Sequence, residues 1–445
     1  MSEWKKVKIG DFLTEREGRY KPDDSKISKY KRLDKIDFSG TIHISDKPTK
    51  TDMIIVHPGD LAISGINVAK GAVAVYQGDE PVCATIHYSS YTFDNSKVDL
   101  DYFKYFVKSP AFIAALQIQV KGGIKTEIKP KHLLPLEISI PDLQTQQEIA
   151  KKVSLQLQRT EQLSLEIKSQ KNYIKQLRQN ILQDAIEGKL TTDWRKQNPI
   201  QKGNPDYDAE ALFEQIQKER NGEKKQKVLS PITDEEKPFE IPEGWKWVRF
   251  GDVSNKIEAG KSILCNEKIP SDDEIGIVKT GVCSFGKFKE NESKTCLSKN
   301  DWHDEYEIKK GDFLIGRANT LELVGSCVIV DSINKKLMLS DKILRIVFCN
   351  FVNHFFILYM MKSKFLRSQI EKSSTGSSPT MKNISQESII NYVLPLPSLK
   401  EQEEIVYKVE TLLAKVTTLE NQIQDRKSLS DKLIFGIIKE AFMEN

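Results

Sequence analysis

No apolar run in this sequence approaches the ~18 residues that a membrane-spanning helix requires. Its first residues, Met1-Ser-Glu-Trp-Lys-Lys, lack the apolar stretch of a secretory signal, so a cytoplasmic protein is expected. Cysteine is sparse: Cys83, Cys265, Cys283, Cys296, Cys327 and Cys349 form no C-x-x-C pair, which argues against a disulfide or metal framework and for buried thiols. The six histidines are scattered, and none stands at ligand spacing from a cysteine or carboxylate. Gly260-Lys261-Ser262 imitates the end of a phosphate-binding loop, but the earlier glycine such a loop needs is replaced by Asn255. No Asn or Asp is followed by Pro-Pro-aromatic, so an amino-methyltransferase site is absent. Asp142 with Glu148 and Lys151 has the wrong spacing for a nuclease carboxylate set, and a helix cap explains Asp142 better. We therefore expect no catalytic residues and no metal site. The net charge of +4 and pI near 8.4 permit nucleic-acid binding without announcing it.

What the sequence does contain is a repeat. Adding 256 to each position carries Ile149 to Ile405, Val153 to Val409, Leu157 to Leu413, Leu163 to Leu419, Ile167 to Ile423, Leu177 to Leu433, Ile181 to Ile437 and Ala185 to Ala441, with no gap. Apolar residues recur there at threes and fours, the period of one stripe on a helix. Two equivalent helices of about 44 residues, roughly 65 Å long, are predicted. The cheapest partner for each stripe is its own repeat.

The repeat extends outward from the helices. Trp4-Lys-Lys-Val-Lys-Ile-Gly-Asp11 is echoed by Trp245-Lys-Trp-Val-Arg-Phe-Gly-Asp252, offset by 241. Gly59-Asp60 is echoed by Gly311-Asp312 at 252, Lys108-Ser109 by Lys362-Ser363 at 254, and Pro141 by Pro397 at 256. The whole unit, globular block plus helix, is duplicated, and the second block carries about fifteen more residues (256 − 241). Val73–Tyr76 and Ile343–Phe348 alternate as half-buried strands, and the Gly-Asp pairs predict turns entering strands. Leu100–Leu116 and Phe355–Ile370 predict short helices. Each block is expected to be α+β on a largely antiparallel sheet. Asp142 should cap the first long helix, Gly188 should end it, and Ser398 with Glu401 should form a capping box for the second.

These landmarks give blocks at 1–142 and 242–397, long helices at 143–187 and 398–445, and a charged connector at 188–241 expected to drape over the surface. If both units fold alike, antiparallel pairing of the helices uses the connector economically and gives a pseudo-two-fold arrangement. Two different blocks held apart in opposed senses suit a duplex with two unlike half-sites, a bipartite and asymmetric target.

Several phrases resemble a known family. Ser64-Gly-Ile-Asn-Val-Ala-Lys-Gly-Ala72 and the stretch Gly311–Gly325 resemble motifs of target recognition domains. Leu394–Ile405 and Ile181–Leu190 look like the repeated helical regions that accompany them, and Ile241-Pro-Glu-Gly-Trp-Lys-Trp247 opens the second domain in the same style. Together, from Trp4 to the C-terminus, they resemble the specificity subunit of type I restriction-modification systems. The resemblance implies two target recognition domains separated by two long antiparallel coiled-coil helices, without chemistry of their own. It implies double-stranded DNA, two methyltransferase subunits and two restriction/translocase subunits as partners. S-adenosylmethionine, ATP and Mg would then belong to those partners. Pro141-Asp-Leu-Gln-Thr-Gln146 is a looser version of the helix entry than Pro397-Ser-Leu-Lys-Glu-Gln402.

Reading DNA needs donors and acceptors for base edges and cations or hydroxyls for phosphates. Lys121, Lys125, Lys129 and Lys131 form a basic run against a single Glu127, and the stretch from Ser373 to Lys382, with Ser377 and Ser378, is rich in hydroxyls. Both precede a long helix, and loops on a rigid scaffold are where binding sits; plain solvated loops are the competing reading. Lys70 and Arg317, just after the Gly-Asp strands, complete the DNA-contact candidates. The helix starts, with Gln146, Ile149, Gln402 and Ile405, are candidates for partner docking on the strength of the resemblance. The rival to a DNA-recognition subunit is a coiled-coil adaptor that tethers two protein partners without sequence-specific DNA binding. Salt-sensitive, sequence-selective DNA binding separates the two.

Overall fold

The computed structural model describes residues 4–442 except 39, 69–71, 120–127, 224–228, 285 and 379. The chain forms two compact units: residues 1–170 with 423–445, and residues 171–422. The central helix (Leu143–Ile186) and the C-terminal helix (Leu399–Ala441) are each divided between the units, at 170/171 and 422/423.

In the first unit a four-stranded antiparallel sheet runs in the order Leu13–Glu15, Tyr88–Phe93, Leu61–Ser64, Val73–Val75. A second sheet runs Ile42–Ser45, Arg32–Ile36, Val82–Thr85, Met53–Val56, with one parallel pair, Arg32–Ile36 with Val82–Thr85. The first strand of the unit, Lys5–Lys8, pairs with the last, Glu137–Ile140, so that Lys5 faces Ile140.

The second unit repeats this plan. Its antiparallel sheet is Ser254–Ala259, Ile343–Phe348, Phe313–Gly316, Cys327–Ile329. Lys246–Arg249 pairs with Val393–Leu396, and Lys246 faces Leu396. The mixed sheets share three strands and differ in the fourth. Ser293–Cys296, Ile275–Val278 and Lys336–Met338 reproduce the order and sense of the first unit's Ile42–Ser45, Arg32–Ile36 and Val82–Thr85. The first unit then adds Met53–Val56 beside Val82–Thr85, whereas the second adds Cys265–Asn266 on the opposite edge, beside Ser293–Cys296. What remains of the missing strand in the second unit is a single bridge, Glu307 with Met338.

The helices predicted at 100–116 and 355–370 are each broken in two. Ser109 and Ser363, both fully buried, turn their hydroxyls onto the backbone N–H groups of Phe112 (3.2 Å) and Leu366 (3.3 Å) and start a new helix there. Such an N-cap competes with continuation of the preceding helix. The resulting pairs are Leu100–Phe106 with Pro110–Gln119, and His354–Met361 with Lys364–Ser373.

The long helices bury a seam with a strict seven-residue repeat: Val153, Thr160, Ile167, Ile174 and Ile181 on the central helix, and Val409, Val416, Ile423, Ser430 and Ile437 at the 256-residue offset. A period of seven is that of a coiled coil, narrower than the stripe expected from threes and fours. Leu177, Leu419 and Leu433, counted into that stripe, fall outside the seam and are exposed. Within each unit the two helices run antiparallel. In the first, Arg426 donates to Gln170 at 3.3 Å, while Ile149 and Ile438 pack on the same core near the other end of the segment. In the second, Arg178 meets Glu420 at 2.9 Å and Lys408 donates to the carbonyl of Leu190 at 2.9 Å. The helix ends themselves enter the cores: Phe442 packs edge-on against Tyr102 and Phe106 at 5.2 and 5.6 Å.

The central helix ends as expected, with Gly188 in the left-handed region (φ +70°). The connector after it is packed and does not drape. Residues Ala209–Glu223 form a helix whose Ala209, Leu212 and Ile216 are fully buried. Lys246 binds Glu210 at 2.7 Å, and buried Arg220 lies 3.6 Å from Asp252. Ala209, Leu212 and Ile216 are spaced at three and four, so the charge of this segment had masked an amphipathic helix.

Candidate nucleic-acid interface

Each block carries the same backbone frame at the end of the strand that follows its Gly-Asp turn. In the first unit Gly65 donates its N–H to the His87 carbonyl at 2.8 Å, and its own carbonyl accepts from Ile128 at 2.7 Å. In the second, Arg317 donates to the Lys342 carbonyl at 2.9 Å and accepts from Ile384 at 2.9 Å. Position 65 therefore corresponds to 317, at the end of the strand that follows the Gly-Asp turn, and the residues that bond to the two carbonyls, Ile128 and Ile384, are both buried.

Of the residues singled out in the first block, Lys70, Lys121 and Lys125 lie outside the described residues. Lys129 and Lys131 are exposed at the start of the short helix Pro130–Leu133. Lys129 lines a cleft of about 420 Å³ together with Arg16, Arg19, His87, Ser89 and Glu15. Burial raises the pKa of Glu15 there, against the opposing pull of Arg19. Arg19 was not among the sequence candidates; its signal is the charged run Glu15-Arg-Glu-Gly-Arg19 directly after a strand.

In the second block the structure gathers the candidates. Ala318–Asn319, next to Arg317, pairs with Lys382–Asn383, and Thr375 exchanges backbone hydrogen bonds with Asn383 at 2.8 and 2.9 Å. This closes the 376–382 loop against the sheet end that carries Arg317. Ser377 and Ser378 are exposed on it, and the Ser378 hydroxyl lies 2.7 Å from that of Thr380. The Lys382 ammonium donates to the Gly376 carbonyl at 2.6 Å, so it braces the loop from within.

The docking candidates are placed differently from the expectation. Gln146 and Gln402 are buried, and Ile405 is buried with them. Gln146 accepts from the Asp99 N–H at 2.8 Å and donates to the Pro141 carbonyl at 2.8 Å. Gln402 accepts from the Asn353 N–H at 2.9 Å and donates to the Pro397 carbonyl at 3.1 Å. Asp99 and Asn353 are the N-caps of the short helices that follow the sheets. Each glutamine thus fastens a long helix to its own block, and Ile149 packs half-buried on the first unit's core. These side chains are engaged inside the chain, which does not fit direct contact with a partner.

Glu401 also departs from the expected capping box. Its carboxylate accepts from Thr191 at 2.7 Å, Arg195 at 2.5 Å and the Trp245 indole at 2.7 Å. Asp142 does cap its helix, accepting from the Thr145 N–H at 2.9 Å. The Gly260-Lys261-Ser262 look-alike is a sheet feature. Lys261 bridges Ser340 through the backbone, and its ammonium sits 5.6 Å from the centre of the Tyr306 ring. All six cysteines are free thiols. Cys265 and Cys296, cross-strand neighbours, lie 3.8 Å apart through their sulfurs, and burial with the adjacent thiol pushes Cys296 up to about 12. Among the described residues no group of three metal-ligating side chains converges, and no helix is long and apolar enough to cross a membrane.

Two copies of one α+β frame, each leading into a long helix, define a duplicated α+β protein. The family described as Type I restriction modification DNA specificity domain matches residues 1–172 and 242–426, and the chain belongs to it. Among its relatives, the EcoEI type I restriction enzyme specificity subunit of Escherichia coli is 32% identical over 251 residues, 56% of this chain and 42% of that protein. The EcoKI specificity subunit of E. coli strain K12 is 25% identical over 346 residues, 77% of this chain and 64% of that one. These matches therefore span less than two thirds of either relative. A solved chain of a type I R-M system superimposes with a TM-score of 0.61 at 15% identity, covering 99% of this chain and 97% of that chain. The HsdS subunit from Thermoanaerobacter tengcongensis gives 0.53 at 17%, covering 99% and 96%. At these identities the structures establish a shared fold.

Proposed function

We propose that this chain is the DNA sequence-recognition subunit of a cytoplasmic type I restriction-modification complex. Each block reads part of a bipartite, asymmetric target. The observation that carries this reading is one backbone frame, present in both blocks, with unlike residues at its corresponding position, Gly65 against Arg317, together with the family match over both blocks. A shared frame with differing contents is what two readers of different base pairs require, because phosphate contacts position a protein while base contacts distinguish sequences.

The chain itself supplies recognition and no bond-making step. Methyltransferase and restriction/translocase subunits, two of each, carry the chemistry, and S-adenosylmethionine, ATP and Mg are theirs. The test is selection of duplexes from a randomised pool by the full chain assembled with its methyltransferase subunit. Enrichment of a split sequence with two unlike halves, weakening steeply with salt, is expected. Retention of duplexes without sequence preference favours the protein-tethering adaptor instead, and a continuous symmetric site contradicts the bipartite reading.

A further inference from the structure

Nine of the chain's arginines are not exposed. Eight of these hold an acceptor of the chain itself; Arg345 binds Glu258 at 2.5 Å, for example, and Arg367 binds the Val324 carbonyl at 2.6 Å. Arg317 is the ninth. Half-buried, it has no hydrogen bond or ion pair to its side chain among the described residues. A guanidinium is charged at any accessible pH and carries five N–H donors in a planar fork, and here none of them is spent on an acceptor among the described residues. The donors reach solvent, open to an acceptor that comes from outside.

The base beneath this side chain is rigid. Arg317 is fixed through its N–H and its carbonyl by Lys342 and Ile384 on two separate segments, and its neighbours Ala318 and Asn319 are paired in the small ribbon. Its place is also where the two blocks diverge, since the equivalent position in the first is Gly65. A contact to the phosphate backbone, which is alike everywhere, would be useful in both blocks equally. A contact to a base edge has to differ between them. A planar fork of donors matches the O6 and N7 acceptors of guanine in the major groove.

We infer that Arg317 is the specificity-determining residue through which the second block reads a guanine. This rests on the DNA-recognition reading above. The experiment takes the full chain assembled with its methyltransferase subunit, first selects the preferred duplex from a randomised pool, and then measures binding to every single-base-pair substitution of it. For the wild type, replacing one G·C pair in one half should weaken binding about tenfold or more. For Arg317→Ala that penalty should vanish at that pair alone, with the profile elsewhere unchanged. Arg317→Lys should not restore it, because an ammonium lacks the planar fork. Both variants should melt with the wild type, since no partner within the chain is lost.

A uniform loss of affinity over all substitutions in Arg317→Ala would make Arg317 a phosphate contact and overturn the assignment, as would an unchanged profile. A wild type that selects no sequence at all would overturn the recognition reading itself, a result distinct from either.

Discussion

Glu401 accepts the indole N–H of Trp245 at 2.7 Å, joining the first turn of the C-terminal helix to the residue that opens the second block. The same carboxylate takes Arg195 and Thr191 from the segment that follows the central helix. Removing it leaves the buried indole without an acceptor and the part-buried guanidinium with the Gly188 carbonyl and the Thr191 hydroxyl, and unmatched buried donors cost about 1–3 kcal/mol each. Glu401→Ala should therefore lower the urea midpoint sharply. Trp245→Phe, which deletes one charge-assisted hydrogen bond, should cost about 1.5–3 kcal/mol.

Gln146→Ala and Gln402→Ala each delete two hydrogen bonds and leave the buried carbonyl and cap N–H groups unmatched. Each should destabilise by about 1–3 kcal/mol. The two side chains share no partner, so the double variant should show the sum of the single costs within about 0.5 kcal/mol in denaturant melts.

At Gly260 an added Cβ would lie 1.9 Å from the Leu339 carbonyl oxygen, a backbone atom that cannot swing aside. Gly260→Ala should force the strand away from its neighbour and lower the melting temperature of the second unit. Lys261→Ala, beside it, removes only the ammonium over Tyr306 and should cost about 0.5–1 kcal/mol. A phosphate-binding loop would give the reverse ranking in a nucleotide-binding assay, with Lys261 dominant.

Burial pushes the Glu258 carboxyl up, but hydrogen bonds from Lys256 and Arg345 outweigh it and hold the group below its ordinary value of 4.5. A lowered folded pKa means that the unfolded chain takes up the proton first as pH falls. The contribution to stability is fully present above 4.5 and is lost as pH drops through the lower folded value. Urea midpoints from pH 7 to pH 3 should thus fall more steeply for the wild type than for Glu258→Gln. Parallel curves would mean that this ion pair does not contribute to the acid limb.

The duplication was legible because it is written in long-range identity of spacing, which survives without gaps in the helices. The seven-residue seam was partly hidden by leucines such as Leu177 and Leu433, which continue the apolar count on faces that stay in water. The differing fourth strands were not legible. One of them, Cys265–Asn266, has two residues, too few to show any period. Arg317, Ser377, Ser378 and Lys382 were identified singly by chemistry. Their convergence depends on another two-residue ribbon linking positions over sixty residues apart, which no local pattern encodes. Gln146 and Gln402 misled for a different reason: a polar residue on the first turn of a helix has the same sequence signature whether it faces a partner or ties down a neighbouring cap.

In each block the first strand pairs directly with the last, Lys5–Lys8 with Glu137–Ile140 and Lys246–Arg249 with Val393–Leu396, in matching register. The chain therefore enters and leaves each block through one doorway only two strands wide. Everything between forms a cassette whose replacement would leave the helix frame beyond the doorway connected as before. On the recognition reading proposed above, one exchange of such a cassette would replace half of the target, and the helices would be kept as long as the new cassette again offers a cap N–H to Gln146 or Gln402.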